Sequence, residues 1–128
     1  EDSLIIDLKA TRTSIYADKT QLMSVIRNLL ENAIKYSSKP PMIRIKTENT
    51  ENGIILSVED KGIGIPKEYQ EKVFNKFYRV PTGNVHNVKG FGLGLSYVKQ
   101  IVKAHGWELK LESELGKGSK FSIIINQI

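Results

Sequence analysis

Ile43, Ile45 and Thr47 alternate with polar residues, and so do Ile54, Leu56 and Val58, with Asn52-Gly53 between the two runs. Asn-Gly between two alternating runs is a hairpin signal, so the segment predicts an antiparallel hairpin. Alternate side chains point to opposite sides of a strand, which gives the hairpin one apolar face. Such a face needs a cover, and the rest of the chain has to provide it.

Segments of helical period are available for that purpose. Asp18 is an N-cap residue with Gln21 three positions later, a capping-box spacing. Leu22, Ile26, Leu29 and Ala33 then form one stripe, widened by Met23, Val25, Leu30 and Ile34, and the period runs to Tyr36. Pro40-Pro41 ends it. Pro66 opens a second expected helix, with Tyr69, Val73 and Phe77 on its buried side and Phe74 beside them. A third is expected from about Leu95 to His105, stopping at Gly106. Further strands are predicted at 4–8 and 14–16, and in the alternating sets Trp107, Leu109, Leu111 and Phe121, Ile123, Ile125. Residues 79–89 show no period and read as a loop. The expected architecture is α+β: a two-layer sandwich of a mixed, mostly antiparallel sheet of about five strands, with about three helices on one face.

At 128 residues the chain is expected to be one domain, 1–128. No apolar run approaches a membrane span, and the acidic start, Glu1-Asp2-Ser3, does not resemble a signal peptide. The absence of cysteine excludes disulfides and thiolate metal sites. A formal net charge of +5 comes from scattered basic residues interspersed with 14 acids. That reads as a solvated surface rather than a nucleic-acid interface.

Four constellations carry chemistry. Asn28, Asn32 and Lys35 fall at i, i+4 and i+7, one polar stripe bordering the apolar face. An amide oxygen suits magnesium, and a lysine suits phosphate. Asp60-Lys61-Gly62-Ile63-Gly64-Ile65-Pro66 follows the hairpin. A carboxylate only accepts hydrogen bonds, so Asp60 aimed into a pocket would select a ligand amine, as adenine has and guanine lacks at the same position. Phe74-Asn75-Lys76-Phe77-Tyr78-Arg79 interleaves aromatics with cations, and Arg79 carries the fork of donors that fits phosphate. Gly90-Phe91-Gly92-Leu93-Gly94-Leu95 runs into a helix whose free N–H groups favour an anion. Each has a plainer reading alone: an exposed polar face, a glycine turn, a core aromatic pair with a surface arginine, a tight turn. The glycine segment matches neither the dinucleotide fingerprint nor the Walker A loop.

The order of the four is more specific than any one of them. It resembles the Bergerat ATP-binding fold, and the chain most resembles the catalytic ATP-binding domain of a bacterial sensor histidine kinase. Asn28-Leu29-Leu30-Glu31-Asn32-Ala33-Ile34-Lys35-Tyr36-Ser37 is similar to that family's N box, 60–66 to its first glycine box, 74–79 to its F box and 90–95 to its second glycine box. Ser113-Glu114-Leu115-Gly116-Lys117-Gly118-Ser119-Lys120-Phe121 resembles the closing block of such domains. The resemblance implies ATP and Mg2+ as ligands. Asn32 would bind the metal with Asn28 in support, and Lys35, Arg79 and Lys76 would meet phosphates. Tyr36 would lie against the nucleotide, Asp60 would bond the adenine amine, and Gly62 and Gly64 would line the base. Gly90, Gly92, Leu93, Gly94 and Leu95 would form a phosphate cradle in a mobile lid, and Ser119 would help close the adenine pocket.

ATP-hydrolysing members of this fold carry a glutamate four residues before the magnesium asparagine, as a general base; here that position is Asn28. The resemblance therefore favours phosphoryl transfer to a histidine over hydrolysis. Neither His86 nor His105 sits in a phosphoacceptor setting. The expected partners are a separate dimerisation domain carrying the phosphoacceptor histidine and, downstream, a response regulator. Nucleic acid and direct membrane contact are not expected, and the location is expected to be cytoplasmic, as part of a membrane-anchored sensor. A serine kinase or ATPase on the same fold, and a nucleotide-binding pseudokinase acting through protein contacts, remain the alternatives.

Overall fold

The computed structural model describes residues 3–8, 17–37, 42–51, 53–75 and 94–126. Among these residues five strands form one sheet: β1 (Ser3–Leu8), β2 (Met42–Asn49), β3 (Gly53–Asp60), β4 (Glu108–Glu114) and β5 (Gly118–Asn126), in the order β1-β2-β3-β5-β4. Among the described strands only β1 and β2 run parallel; the other neighbours are antiparallel. The helix α1 (Lys19–Tyr36) is the crossover that this parallel pair requires. A second helix, α2 (Gly94–Ala104), precedes the β4–β5 hairpin.

The predicted hairpin is β2–β3, with Asn49 opposite Ile54 and Thr50 N–H donating to Gly53 O at 2.9 Å. Its apolar face is the covered one. Ile43, Val58 and Leu56 on β2 and β3 join Phe121, Ile123 and Ile125 on β5 in a core roofed by α1 and α2. The roof is narrow: α1 buries Val25, Leu29 and Ala33, and α2 buries Val98, Ile101 and Val102. Met23 and Ile34, predicted to widen the apolar stripe of α1, are instead each 56% exposed. The fully buried residues of α1 form its i, i+4, i+8 ridge, with Leu22, Ile26 and Leu30 packed beside it, and the helix contacts both β3 and α2. The opposite sheet face carries the row Arg44, Glu59, Lys120, Glu112 in register across four strands. Alternating charges in such a row attract across strands, which suits a face that meets solvent.

The helix caps follow the sequence. Asp18 accepts the Gln21 N–H on its side chain at 2.9 Å, and Gly106 adopts φ 74 after α2. The stretch after Pro66 differs from expectation. It forms two single 3-10 turns, Lys67–Tyr69 and Lys72–Phe74, rather than one helix. The reason lies in Gln70, between the turns. Its amide donates to Ile65 O at 2.9 Å and to Ser113 O at 3.0 Å, holding the segment to β4. Nine residues of isolated helix have little intrinsic stability to set against such tethers. Val73 is buried, Tyr69 is half-buried, and Phe74 meets Phe121 edge-on with ring centroids 6.1 Å apart. The expected strand at 14–16, Phe77 and the loop at 79–89 lie outside the described residues.

His105 ties the ends of the two helices together. Its Nδ1 lies 2.8 Å from Ile101 O and its Nε2 accepts Asp18 N–H at 3.2 Å. A carbonyl only accepts and an amide N–H only donates, so the proton sits on Nδ1. The ring stacks on Trp107 with centroids 4.4 Å apart.

Candidate functional site

Pairing register places a polar row at one end of the covered sheet face. Asp60 on β3 is opposite Ser119 on β5, and Ser119 is opposite Ser113 on β4. The next row inward is apolar: Val58, Phe121 and Leu111. Side chains two apart share a face, so the polar row continues the core as a polar rim.

Asp60 is 4% exposed, a rare state for a carboxylate. Burial pushes its carboxyl above the ordinary range; the backbone N–H groups of Gly62 and Ser119 pull it back down, and neighbouring Glu59 pushes it up. The Gly62 N–H reaches Asp60 Oδ1 at 2.8 Å.

Two glycines let the loop after Asp60 run between fixed backbones. Gly62 lies against Tyr36 O at the end of α1, so close that a Cβ would collide with main chain. Ile63 N–H then donates to the same Tyr36 O at 3.0 Å. Gly64 has φ 73 and lies against Glu114 O, where a Cβ would also collide. Gly116 N–H donates to Ile63 O at 2.7 Å, closing the loop onto the β4–β5 turn. The first glycine segment is thus clamped between α1 and that turn, beside Asp60.

The polar stripe of α1 leads away from this clamp. Tyr36 is half-buried at its end, Lys35 is exposed, and Asn32 and Asn28 are half-buried. Asn28 donates from Nδ2 to Ser24 O at 2.8 Å. Its Oδ1 faces Gly94, the first residue of α2, where a Cβ would stand 3.1 Å away. Asn28 and Gly94, 66 positions apart in sequence, therefore meet where a helix N-terminus presents its free N–H groups. Asn28 precedes Tyr36 by two helical turns, about 12 Å along the axis. That length is comparable to the reach of a nucleoside triphosphate from base to terminal phosphate.

The structure gathers the predicted residues into two groups. Asp60, Gly62, Gly64, Ser119 and Tyr36 lie at one end, and Asn28 and Gly94 at the other, with Asn32 between them on α1. Leu95 is half-buried and packs on the core, seating α2. Lys76, Arg79, Gly90, Gly92 and Leu93 lie outside the described residues. Sequence reading gave no role to Ser113 and Gln70. The Ser113 hydroxyl accepts Ile65 N–H at 2.7 Å, donates to Gly118 O at 2.9 Å and lies 2.8 Å from Ser119 Oγ. The signal available was parity: Ser113 alternates with Leu109 and Leu111 on the covered face.

Among the described residues, no group of three acidic, histidine or cysteine side chains is placed to hold a metal, and no helix is long and apolar enough to cross a membrane.

Known proteins resemble the chain over most of its length. A family model described as histidine kinase-, DNA gyrase B- and HSP90-like ATPase matches residues 17–127. Sensor protein RprX of Bacteroides fragilis is 48% identical over 122 residues, covering 93% of this chain and 23% of that protein. The signal transduction histidine-protein kinase ArlS of Staphylococcus aureus is 36% identical over 118 residues, covering 92% and 26%. The chain thus spans about a quarter of the length of these curated relatives. Among solved structures, the mycobacterial sensor histidine kinase MprB matches with a TM-score of 0.81 at 26% identity, over 96% of this chain and 81% of that one.

Proposed function

Because the chain belongs to the histidine kinase-, DNA gyrase B- and HSP90-like ATPase family, we propose that it is the catalytic ATP-binding domain of a sensor kinase, 1–128. In this reading it binds Mg-ATP and delivers the γ-phosphoryl group to a histidine on a separate dimerisation domain, from which a response regulator takes it. Work at the inner side of a membrane-anchored sensor follows from the same reading.

The observation that carries it is the buried Asp60 carboxylate, held by Gly62 N–H and facing Ser119 at the rim of the core. A buried carboxylate needs hydrogen-bond donors. The exocyclic amine of adenine supplies one at the 6-position, where a 6-oxo purine has only an acceptor. With the base at Asp60, α1 directs the phosphates toward Asn28 and the α2 N-terminus, where N–H groups and the helix dipole favour an anion. Lys35, Lys76, Arg79 and the glycines of 90–94 are assigned to the phosphates on the strength of the family resemblance.

The residues present fit magnesium as a shared ligand of protein and phosphate rather than as a caged ion. Asn32 offers one neutral oxygen, half-exposed on α1, and magnesium keeps several waters beside one or two protein ligands. When bound, the ion neutralises charge on the phosphate oxygens. Asn32→Ala is expected to weaken magnesium-dependent nucleotide binding by roughly 10- to 100-fold. Calorimetric titrations with and without magnesium that match the parent would refute the assignment.

Asn28 bears on the choice of acceptor. A carboxamide takes no proton at neutral pH, and this one is occupied by Ser24 O and faces Gly94. Glu31, the adjacent acid, is exposed. Water therefore lacks a base at the stripe, and a nucleophile that needs none is favoured. A neutral imidazole meets that description. His105 does not serve, because both of its ring nitrogens are engaged; His86 lies outside the described residues. Asn28→Glu is expected to raise ATP hydrolysis, within the roughly 10²–10⁴-fold that a positioned base contributes. Unchanged phosphate release would show that the position does not govern water attack.

A further inference from the structure

Ser113 has one proton and three partners. Ile65 N–H can only donate and Gly118 O can only accept, so the proton of Ser113 is committed to Gly118 O. The contact at 2.8 Å with Ser119 Oγ then has one possible sense: Ser119 donates and Ser113 accepts. The proton of Ser119 is spent inside the protein. Ser119 stands opposite Asp60 in the strand register, on the same face. Both side chains beside that position therefore offer lone pairs and no hydrogen.

We propose that Ser113 is a specificity-positioning residue: by holding the Ser119 hydroxyl as an acceptor, it gives the Asp60 end of the site acceptor-only character. Ser113 itself touches no ligand. This rests on the reading that the purine ring lies at Asp60, and it adds a second determinant to that carboxylate. A ligand entering this end must bring hydrogens, as a 6-amino purine does. A 6-oxo purine sets the lone pairs of its 6-oxygen against lone pairs. Removal of the Ser113 hydroxyl frees the Ser119 proton, and the Ser119 O–H can then turn to a ligand carbonyl. Ser113 also anchors Ile65, and Gln70 clasps the same two segments through Ile65 O and Ser113 O. Loss of that anchor weakens every nucleotide alike, whereas the freed proton changes the ratio between nucleotides.

The test is competition binding of ATP against inosine triphosphate to the chain, its Ser113→Ala and Ser113→Thr variants and the double variant Ser113→Ala/Ser119→Ala, with a thermal melt of each. The ATP preference is expected to fall about tenfold in Ser113→Ala, the scale of one hydrogen bond gained by the competitor. It is expected to stay near the parent value in Ser113→Thr. In the double variant the gain for inosine triphosphate is expected to vanish, since no hydroxyl remains to turn. An unchanged ratio in Ser113→Ala, or an equal loss of both nucleotides, overturns the proposal and leaves Ser113 as a loop anchor. A relaxation that survives in the double variant overturns it too. A parent that binds ATP and inosine triphosphate equally overturns the placement of the base at Asp60, a distinct failure visible before any variant is made.

Discussion

Asp60→Asn is expected to stabilise the empty protein while removing most of its nucleotide affinity. Burial raises the folded-state pKa of Asp60 above its ordinary value of 3.8. A carboxyl whose pKa is raised by folding binds its proton more tightly in the folded chain, so its contribution to stability is greatest below the unfolded pKa. That contribution is lost as pH rises through the folded value, and at neutral pH the buried charge works against the fold. Asparagine keeps the Oδ1 that accepts Gly62 N–H at 2.8 Å and carries no charge. Melting curves of parent and variant should converge near and below pH 4, with Asp60→Asn the more stable above it. The nucleotide responds oppositely, because the asparagine loses the charge-assisted bond to the amine. ATP affinity should fall by roughly 10- to 100-fold, the equivalent of about 1.5–3 kcal/mol for a hydrogen bond to a charged group. A variant less stable than the parent at neutral pH would mean that the carboxylate is a net structural support. Retained ATP affinity would remove the base from Asp60. A stability gain at the expense of binding is the usual mark of a strained functional group.

Gly62→Ala is expected to have the largest effect on the fold of the site. An added methyl would fall on Tyr36 O and its carbonyl carbon, which are main-chain atoms and have no rotamer by which to retreat. Either the end of α1 or the segment after Asp60 has to move. Movement strains the Ile63 N–H bond to Tyr36 O and the Gly62 N–H bond to Asp60 Oδ1 together. The expected cost is about 3 kcal/mol, at the upper end for overpacking, with ATP binding lost in the molecules that remain folded. Gly106→Ala provides the contrast. Nothing lies within 4 Å of a Cβ there, and only the positive φ of 74 opposes it. That substitution should cost about 1–2 kcal/mol and leave nucleotide affinity intact. Urea unfolding and ATP titration of the two variants separate close approach at the site from conformational strain away from it. Equal effects on binding would show that the clamp on α1 plays no part in shaping the site.

Much of the scaffold could be read along the chain because its signals are local. The Asp18 cap, the end of α2 at Gly106, the β2–β3 hairpin and the alternation of β5 each depend on residues within a few positions of one another. The two 3-10 turns after Pro66 could not be read this way. What breaks that segment is Gln70 reaching Ser113, 43 positions away. Met23 and Ile34 were misjudged for a related reason: periodicity gives the direction of an apolar stripe, and only the partners α2 and β3 decide its width. At the site, the residue types of Asp60, Gly62 and Gly64 announced themselves through their spacing, and Asn28 through its helical stripe. Ser113 did not, because its meaning is a proton count over Ile65, Gly118 and Ser119 that exists only once strands β4 and β5 are in register.

In the proposed function the chain presents the γ-phosphoryl of ATP to a histidine outside itself. The most direct test of this reading is to follow γ-labelled Mg-ATP with the chain alone, and then with the chain mixed with the helical phosphoacceptor domain of a sensor histidine kinase. ATP is expected to be bound but scarcely hydrolysed by the chain alone, and the label is then expected on the added domain as an acid-labile, base-stable phosphohistidine. Steady multiple-turnover release of phosphate from the chain alone, or an acid-stable phosphoserine on the partner, would contradict it.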